Sequence, residues 1–199
     1  MFNILVRTSG RPNFFNECFE SIAKQGYKNY RVIVSDDGDS DYVYDYPVEV
    51  VKVTPRVGHC FWNLYMNELI KQVEKGWIIY LDDDVTMRKD ALSIISKRCN
   101  SIKKVICWRY QFANGRTIPE PEFWGKPPTR KHWDSGCFTH HSKQNVYWQM
   151  ARAADWRVGL QLYKKKLQFE WIDETLFFAG NNGDVGKKND LKDAIILPG

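Results

Sequence analysis

Three consecutive aspartates, Asp82, Asp83 and Asp84, directly follow an apolar run at residues 77–81. Adjacent carboxylates repel one another, so this cluster requires a cation or fixed hydrogen-bond donors nearby. In an extended segment alternate side chains share one face, which predicts that Asp82 and Asp84 face one cleft and that Asp83 points away. Two such carboxylates, with water and phosphate oxygens completing the shell, suit Mg²⁺ or Mn²⁺. The alternative is a solvated acidic turn that caps the next helix.

Two further polar segments, residues 8–11 and 36–39, each follow a short β-branched run. In a parallel α/β sheet, ligands bind beyond the carboxyl ends of the strands, so both segments and the aspartates are expected at one edge. For Asp36, Asp37 and Gly38 a simple turn is the alternative, because Asp-Gly pairs occur in turns of many kinds.

β-Branched runs alternate with helical stretches, which predicts an α/β fold with a mostly parallel central sheet flanked by helices. In the first helix, Phe15, Cys18, Phe19 and Ile22 recur at spacings of three and four and form one buried face. Gly26 is predicted to end this helix as a left-handed cap. The predicted strands are 4–6, 31–35, 48–53, 77–81, 105–110 and 167–172, the predicted helices are 14–24, 63–74, 90–99, 142–153 and 155–165, and 114–135 is a loop rich in Pro and Gly.

The composition indicates a folded globular chain of 199 residues, because 43% of them are hydrophobic and 15% aromatic. A net charge of +5 suits an anionic ligand without requiring nucleic acid. The lysine runs at 164–166 and 187–188 lack the aromatic interleaving of a nucleic-acid site, so none is expected. No apolar stretch approaches the ~18–20 residues of a membrane span, and the five cysteines form no Cys-x-x-Cys pair. We therefore expect a soluble, cytoplasmic chain with reduced thiols.

Several segments together resemble the family-2-like glycosyltransferases, which have the GT-A fold. The resemblance covers residues 3–100 and 134–180, and Asp82-Asp83-Asp84 is similar to the family's D-x-D motif. Motifs of the family's amino-terminal half are similar to the segments at residues 8–12, 18–22 and 32–38. The family's E-D-W-x-L-x-L-R block resembles residues 154–162, and the strand that follows that block resembles residues 169–176.

The resemblance implies a nucleotide-diphosphate sugar as donor, most often a UDP-sugar such as UDP-glucose, bound through Mn²⁺ or Mg²⁺. The residues that it places at the donor are Thr8 and Arg11 at the nucleotide, Asp36 or Asp37 at the uracil or ribose, Asp82 and Asp83 beside the donor, and Asp82 and Asp84 on the metal. Arg56 and His59 open the second helix, where the helix N-terminus and the side chain of Arg56 or His59 could face phosphate, although His59 also fits a surface position. Many relatives carry an Arg-Asn pair in this helix, and Trp62-Asn63 stands there instead.

Transfer with inversion requires one general base to take the proton of the acceptor hydroxyl. The E-D-W block places that base at Asp155, although Ala154 stands where the family has glutamate. Asp155 also fits a simple helix N-cap. Asp173 and Asp134 are the alternative bases.

The segment 132–141 is predicted to line the sugar and acceptor pocket. His140 and His141 could contact phosphate or a metal, although a partly exposed pair is the simpler interpretation. The candidate platforms for sugar rings, some of which belong to the core instead, are Trp124, Trp133, Trp148 and Trp156.

These features predict one GT-A domain over residues 1–199, with a nucleotide-binding half (1–110), an acceptor half (111–185) and a tail or linker (186–199). The expected activity is metal-dependent transfer of a sugar to a glycan or protein-linked acceptor. A nucleotidyltransferase is the alternative enzyme, although the single Gly10 is a poor phosphate-binding loop, and a noncatalytic nucleotide-sugar-binding module is the other alternative. In its small size and its tail, the chain is similar to one domain of the multidomain glycosyltransferases that large algal viruses encode for capsid glycans. A viral enzyme of this kind would act in the host cytoplasm.

Overall fold

The computed structural model describes residues 1–9, 11–37, 44–53 and 62–180. The helices are α1 (Pro12–Ala23), α2 (Trp62–Lys71), α3 (Ala91–Ser96) and α4 (Ala154–Lys164). The strands are β1 (Phe2–Thr8), β2 (Tyr30–Asp36), β3 (Val48–Lys52), β4 (Trp77–Asp82), β5 (Val85–Met87), β6 (Lys104–Gln111), β7 (Thr117–Ile118), β8 (Phe138–His141) and β9 (Gln168–Ala179).

The described strands form one mixed sheet in the order β3-β2-β1-β4-β8-β6-β9-β5, with β7 paired to β6. The first four strands are parallel, as the sequence predicts, and β8 runs antiparallel to both of its neighbours. Because β8 reverses the direction once on each side, β6 and β9 again run parallel to β4. The carboxyl ends of β1, β2 and β4 therefore share one edge, where Arg7 lies opposite Asp82 and Thr8 lies opposite Asp36.

The helices cover this sheet with apolar faces. Phe15, Cys18, Phe19 and Ile22 are the buried residues of α1, which confirms the predicted face. Gly26 is not a left-handed cap, because Lys24 ends the helix in a right-handed conformation and the described positive-φ glycines do not include Gly26.

The predicted helix at 142–153 is wrong. Phe138–His141 is a strand and Ser142–Gln144 a single 3₁₀ turn, after which Asn145 has a left-handed backbone (φ 43°). Side-chain amides then take the backbone hydrogen bonds that a helix would use: Gln161 binds the N–H and C=O of Tyr147, and Asn67 binds those of Trp148. The sequence also does not predict strands β5 and β8, and the 114–135 loop contains β7 and a 3₁₀ turn at Pro121–Phe123.

Within the described ranges, no helix combines the length and the apolar character needed to cross a bilayer. Four of the five cysteines fall in the same ranges, and all four are free thiols.

Candidate active site

A cleft of about 250 Å³ opens where β1 and β4 end. Strand β1 supplies Arg7 and β4 supplies Asp82, while Asp134 comes from the loop before β8. Asp155 enters from the first turn of α4, and Asn63 from α2. Arg152 also lines the cleft, which thus combines two guanidinium groups, one amide and three carboxyl groups from distant parts of the sequence.

Arg7 is the central charge of the cleft. Its Nε and Nη2 donate to the two carboxylate oxygens of Asp82, the second at 3.0 Å, and its Nη1 donates to Oδ1 of Asn63 at 3.1 Å. Such two-point pairing fixes the orientation of the carboxylate in addition to balancing its charge. Burial would lower the pKa of Arg7, but Asp82, Asp134 and Asp155 together outweigh this effect and raise the pKa, so the guanidinium is charged.

Asp155 lies at the second position of α4, which starts from Ala153 in a left-handed conformation (φ 53°). The helix N-cap is thus Ala153, so the interpretation of Asp155 as an N-cap is wrong. Burial raises the pKa of Asp155, and backbone N–H groups of the first turn and the charge of Arg7 partly offset the effect. The positive end of the helix dipole also favours the ionised form of this carboxyl group.

Asp134 is the second carboxyl group facing Asp155. It precedes the 3₁₀ turn Ser135–Cys137, and its Oδ1 accepts a hydrogen bond from the backbone N–H of Gly136 at 2.9 Å. Burial raises the pKa of Asp134, and repulsion from Asp155 adds to the increase. Of the two groups, Asp134 thus retains its proton more readily and Asp155 ionises more readily. The other alternative base, Asp173 on β9, pairs with Arg109, is largely exposed and does not line the cleft.

Asp83 is not among the residues that line the cleft, and its side chain lies in the protein interior. Residues 83 and 84 form a turn rather than an extended segment, and Asp83 is fully buried. Its Oδ2 accepts hydrogen bonds from the hydroxyl of Thr8 at 2.6 Å and from Nε of Arg11 at 3.0 Å. Burial raises the pKa of Asp83 to about 6, although Arg11 opposes the shift. Thr8, Arg11 and Asp83 thus form one internal cluster, and their contact with a nucleotide stays a prediction.

Asp82 and Asp84 fit a divalent cation only in part. Burial and then repulsion from Asp82 raise the pKa of Asp84, so a cation here would relieve a repulsion that the fold maintains. Arg7 already occupies both oxygens of Asp82, so Asp84 is the main carboxylate donor. No group of three or more His, Cys, Asp or Glu side chains within the described residues could hold an ion alone. The donor set therefore fits Mg²⁺ or Mn²⁺ that takes its remaining ligands from a diphosphate and water.

Asp36 and Asp37 are both buried at the end of β2. The Asp36 carboxylate accepts hydrogen bonds from the hydroxyl of Tyr44 at 2.8 Å and from Nζ of Lys52 at 3.4 Å. Their contact with the base or ribose stays a prediction. Arg56 and His59 lie outside the described residues, whereas Trp62 and Asn63 both line the cleft.

His140 and His141 are structural. His140 is buried, which lowers its pKa to about 4, and the ring lies between the hydroxyl of Tyr80 at 2.8 Å and the carbonyl of His141 at 3.1 Å. His141 packs edge-to-face on Trp77. Neither histidine lines the cleft, so a role as phosphate or metal contact gains no support.

Of the four tryptophans considered as sugar platforms, only Trp148 lines the cleft, and it is 1% exposed. Trp133 is buried against Phe138, and Trp124 packs on Trp171 with Arg109 over its ring. Trp156 donates its Nε1–H to the carbonyl of Pro128.

Sequence reasoning missed Arg7. The available signal was a charged residue within a strand whose other residues are almost all buried, since a charge in such a place needs a partner. The partner itself could not be identified, because it depends on which strand lies beside β1.

Comparison with known proteins gives a family and a fold. The family model described as "Glycosyl transferase family 2" matches residues 4–159. No curated protein sequence matches the chain.

Solved structures of S. aureus TarS have the same fold. The crystal structure of TarS 1–349 matches with a TM-score of 0.73 and 18% identity, covering 98% of this chain and 66% of that one. TarS 1–349 in complex with UDP-GlcNAc matches with a TM-score of 0.73 and 17% identity, covering 90% and 58%. A further TarS structure matches with a TM-score of 0.71 and 15% identity, covering 98% and 40%. The chain thus spans 40 to 66% of the length of these structures.

Proposed function

Because this chain belongs to the glycosyl transferase family 2 and has the GT-A fold, we propose that it transfers a sugar from a nucleotide-sugar donor to an acceptor hydroxyl. The observation that carries the proposal is the cleft at the ends of β1 and β4, where Asp155 lies with Arg7 and Asp82. A UDP-sugar is the proposed donor, since TarS is crystallised with UDP-GlcNAc and with UDP. The proposed acceptor is a glycan or a protein-linked acceptor.

Asp155 acts as the general base. Its carboxylate accepts the proton of the acceptor hydroxyl while the acceptor oxygen bonds to the anomeric carbon of the donor. The bond between that carbon and the β-phosphate oxygen breaks, so that the nucleoside diphosphate leaves with the electron pair. A single displacement of this kind inverts the anomeric centre.

The chain's own charges orient this reaction. Arg7 pairs with Asp82 and offsets part of the rise that burial causes in the pKa of Asp155, which favours the ionised form of the base. Because its pKa is raised, Asp134 retains a proton more readily, which avoids a further negative charge beside the carboxylates of Asp82 and Asp155. Thr8, Arg11, Asp36, Asp37, Arg56 and Asp83 are the proposed contacts to the nucleotide and its phosphates. Asp84, supported by Asp82, would hold Mn²⁺ or Mg²⁺, which when bound neutralises the charge that develops on the leaving diphosphate.

Isothermal titration with UDP, GDP and TDP, each in the presence of Mn²⁺, tests the donor site. The proposal predicts that UDP binds and that GDP and TDP bind at least about tenfold more weakly, a difference of ~1.4 kcal/mol. If none of the three binds, the donor-site interpretation fails and the aspartates are a structural turn. Binding without any turnover would favour the noncatalytic module.

A further inference from the structure

Asn63 connects the donor side of the cleft to residues 145–153, the segment that leads into α4 and the proposed base Asp155. Its Oδ1 accepts a hydrogen bond from Nη1 of Arg7 at 3.1 Å, and its Nδ2 donates to the carbonyl of Ala151 at 2.9 Å. The orientation of the amide is fixed, because a guanidinium can only donate and a backbone carbonyl can only accept. Asn63 is 6% exposed, so water competes little for either bond.

The residues on the two sides of this amide belong to the two halves of the proposed reaction. Arg7 is bound to Asp82 at the end of β4, where the donor diphosphate would lie. Ala151 is two residues before Ala153, whose left-handed conformation starts α4 and sets the direction of Asp155. The side-chain amide of Asn63 thus connects Asp82, through Arg7, to the segment that leads into α4.

The segment before α4 has no helix or strand of its own and depends on such contacts. Asn67, one turn after Asn63 on α2, donates Nδ2–H to the carbonyl of Trp148 and accepts from its N–H, both at 2.8 Å. Both atoms of the Asn67 amide are therefore directed at this segment rather than at Arg7. The two asparagines hold the same segment from the same helix, and Asn63 additionally binds the charged centre of the cleft.

We infer that Asn63 is a positioning residue, which sets Asp155 relative to the donor by holding Arg7 and the Ala151 carbonyl at once. This inference rests on the proposed function. A displacement of about 1 Å at a reacting group can cost about 10²-fold in rate, so a residue that fixes the position of Asp155 can strongly affect kcat. Donor binding, in contrast, does not require the contact to Ala151.

The test compares Asn63→Ala, Asn63→Asp and Asn67→Ala in the full chain. For each, UDP release from UDP-sugars is measured for kcat and KM, with UDP affinity from calorimetry and stability from thermal unfolding. Asn63→Ala is expected to lower kcat by about 10-fold to 10²-fold with donor KM and UDP affinity within about threefold of wild type. Asn67→Ala loses two hydrogen bonds to the same segment and is expected to lower the unfolding temperature while kcat stays within about threefold.

Asn63→Asp separates the two contacts. An aspartate can still accept from Arg7, but it presents an oxygen to the Ala151 carbonyl and cannot donate there while ionised. It is expected to be as slow as Asn63→Ala although the ion pair with Arg7 retains stability. This variant also decides the matter if Asn63→Ala fails to fold.

Equal losses of kcat in the Asn63 and Asn67 variants would overturn the inference, as would a loss confined to donor KM. A different result marks failure of the proposed function. If wild type and Asp155→Asn release UDP at the same rate, Asp155 is not the base, whatever the asparagine variants do. If wild type releases none from any donor, both proposals fall.

Discussion

Asp134 and Asp155 lie in the wall of one cleft, and burial followed by repulsion from Asp155 raises the pKa of Asp134. The two carboxyl groups differ in what surrounds them. Asp155 has the backbone N–H groups of a helix start and the charge of Arg7. The pair therefore retains a proton on Asp134 under conditions where Asp155 is ionised, which is the division of states that a general base requires.

The raised pKa of Asp134 predicts a pH-dependent stability. The folded state binds this proton more tightly than the unfolded chain, so the stability contribution of Asp134 is complete below the ordinary aspartate range and is lost as pH rises toward neutral. The amide that replaces this carboxyl group in Asp134→Asn carries no charge at any pH. We expect the unfolding free energy of Asp134→Asn, relative to wild type, to increase between about pH 4 and pH 7, by about 1 kcal/mol or more. Urea unfolding at pH 4, 5.5 and 7 measures it.

Asp90→Asn is the control of opposite sign. Hydrogen bonds from Arg88 lower the pKa of Asp90, so its stabilising effect is present above the ordinary aspartate range and is lost as pH falls. Its carboxylate is half exposed, so the effect should be small. A difference between Asp134→Asn and wild type that does not change with pH would contradict the account.

Metal dependence should reside in Asp84. Calorimetric titration of wild type with UDP is expected to show binding that weakens about tenfold or more when Mn²⁺ is replaced by a chelator. In Asp84→Asn binding should be weak in both conditions, since the main carboxylate donor is gone. Asp90→Asn, at a half-exposed carboxylate beyond β5, should behave as wild type. Equal UDP affinity with Mn²⁺ and with chelator in wild type would remove the metal from the proposed function.

Gly159 on α4 gives a prediction about packing. A Cβ atom there would lie 2.5 Å from Nε1 of Trp133 and 3.1 Å from Cβ of Pro128. Helix propensity alone favours Gly→Ala by ~1 kcal/mol, but overpacking costs about 1–3 kcal/mol. We expect Gly159→Ala to lower the unfolding temperature by several degrees. Gly26→Ala, whose Cβ would meet only Ser93 Oγ at 3.8 Å, should change it little. A stabilised Gly159→Ala would show that the indole of Trp133 can move aside.

The sequence predicts the structure correctly where the residues of a single helix or strand determine it. The apolar spacing of α1 predicted its buried face, and the runs at β1, β2 and β4 predicted three parallel strands. The resemblance to the E-D-W block led to Asp155, which the structure places in the cleft.

The rest depends on contacts between distant segments. The pairing of Arg7 with Asp82 follows from the register of β1 against β4, which no local pattern encodes. The segment at 142–153 has helical composition, yet the amides of Asn67 and Gln161 bind its backbone. The inward direction of Asp83 arises because the chain turns at this residue and because Thr8 and Arg11 supply donors on the inner side.

The most direct measurement is the turnover of UDP-sugars by wild type and by Asp155→Asn, with products identified by phosphorus NMR. Wild type with Mn²⁺ is expected to release UDP, and Asp155→Asn is expected to lose about 10²-fold to 10⁴-fold in rate while its UDP affinity stays near wild type. Asp173→Asn, which changes an exposed carboxylate outside the cleft, should retain full turnover. Release of sugar 1-phosphate in place of UDP would indicate a nucleotidyltransferase, which breaks the bond between the two phosphates of the donor. A fully active Asp155→Asn would show that this carboxylate does not take the acceptor proton.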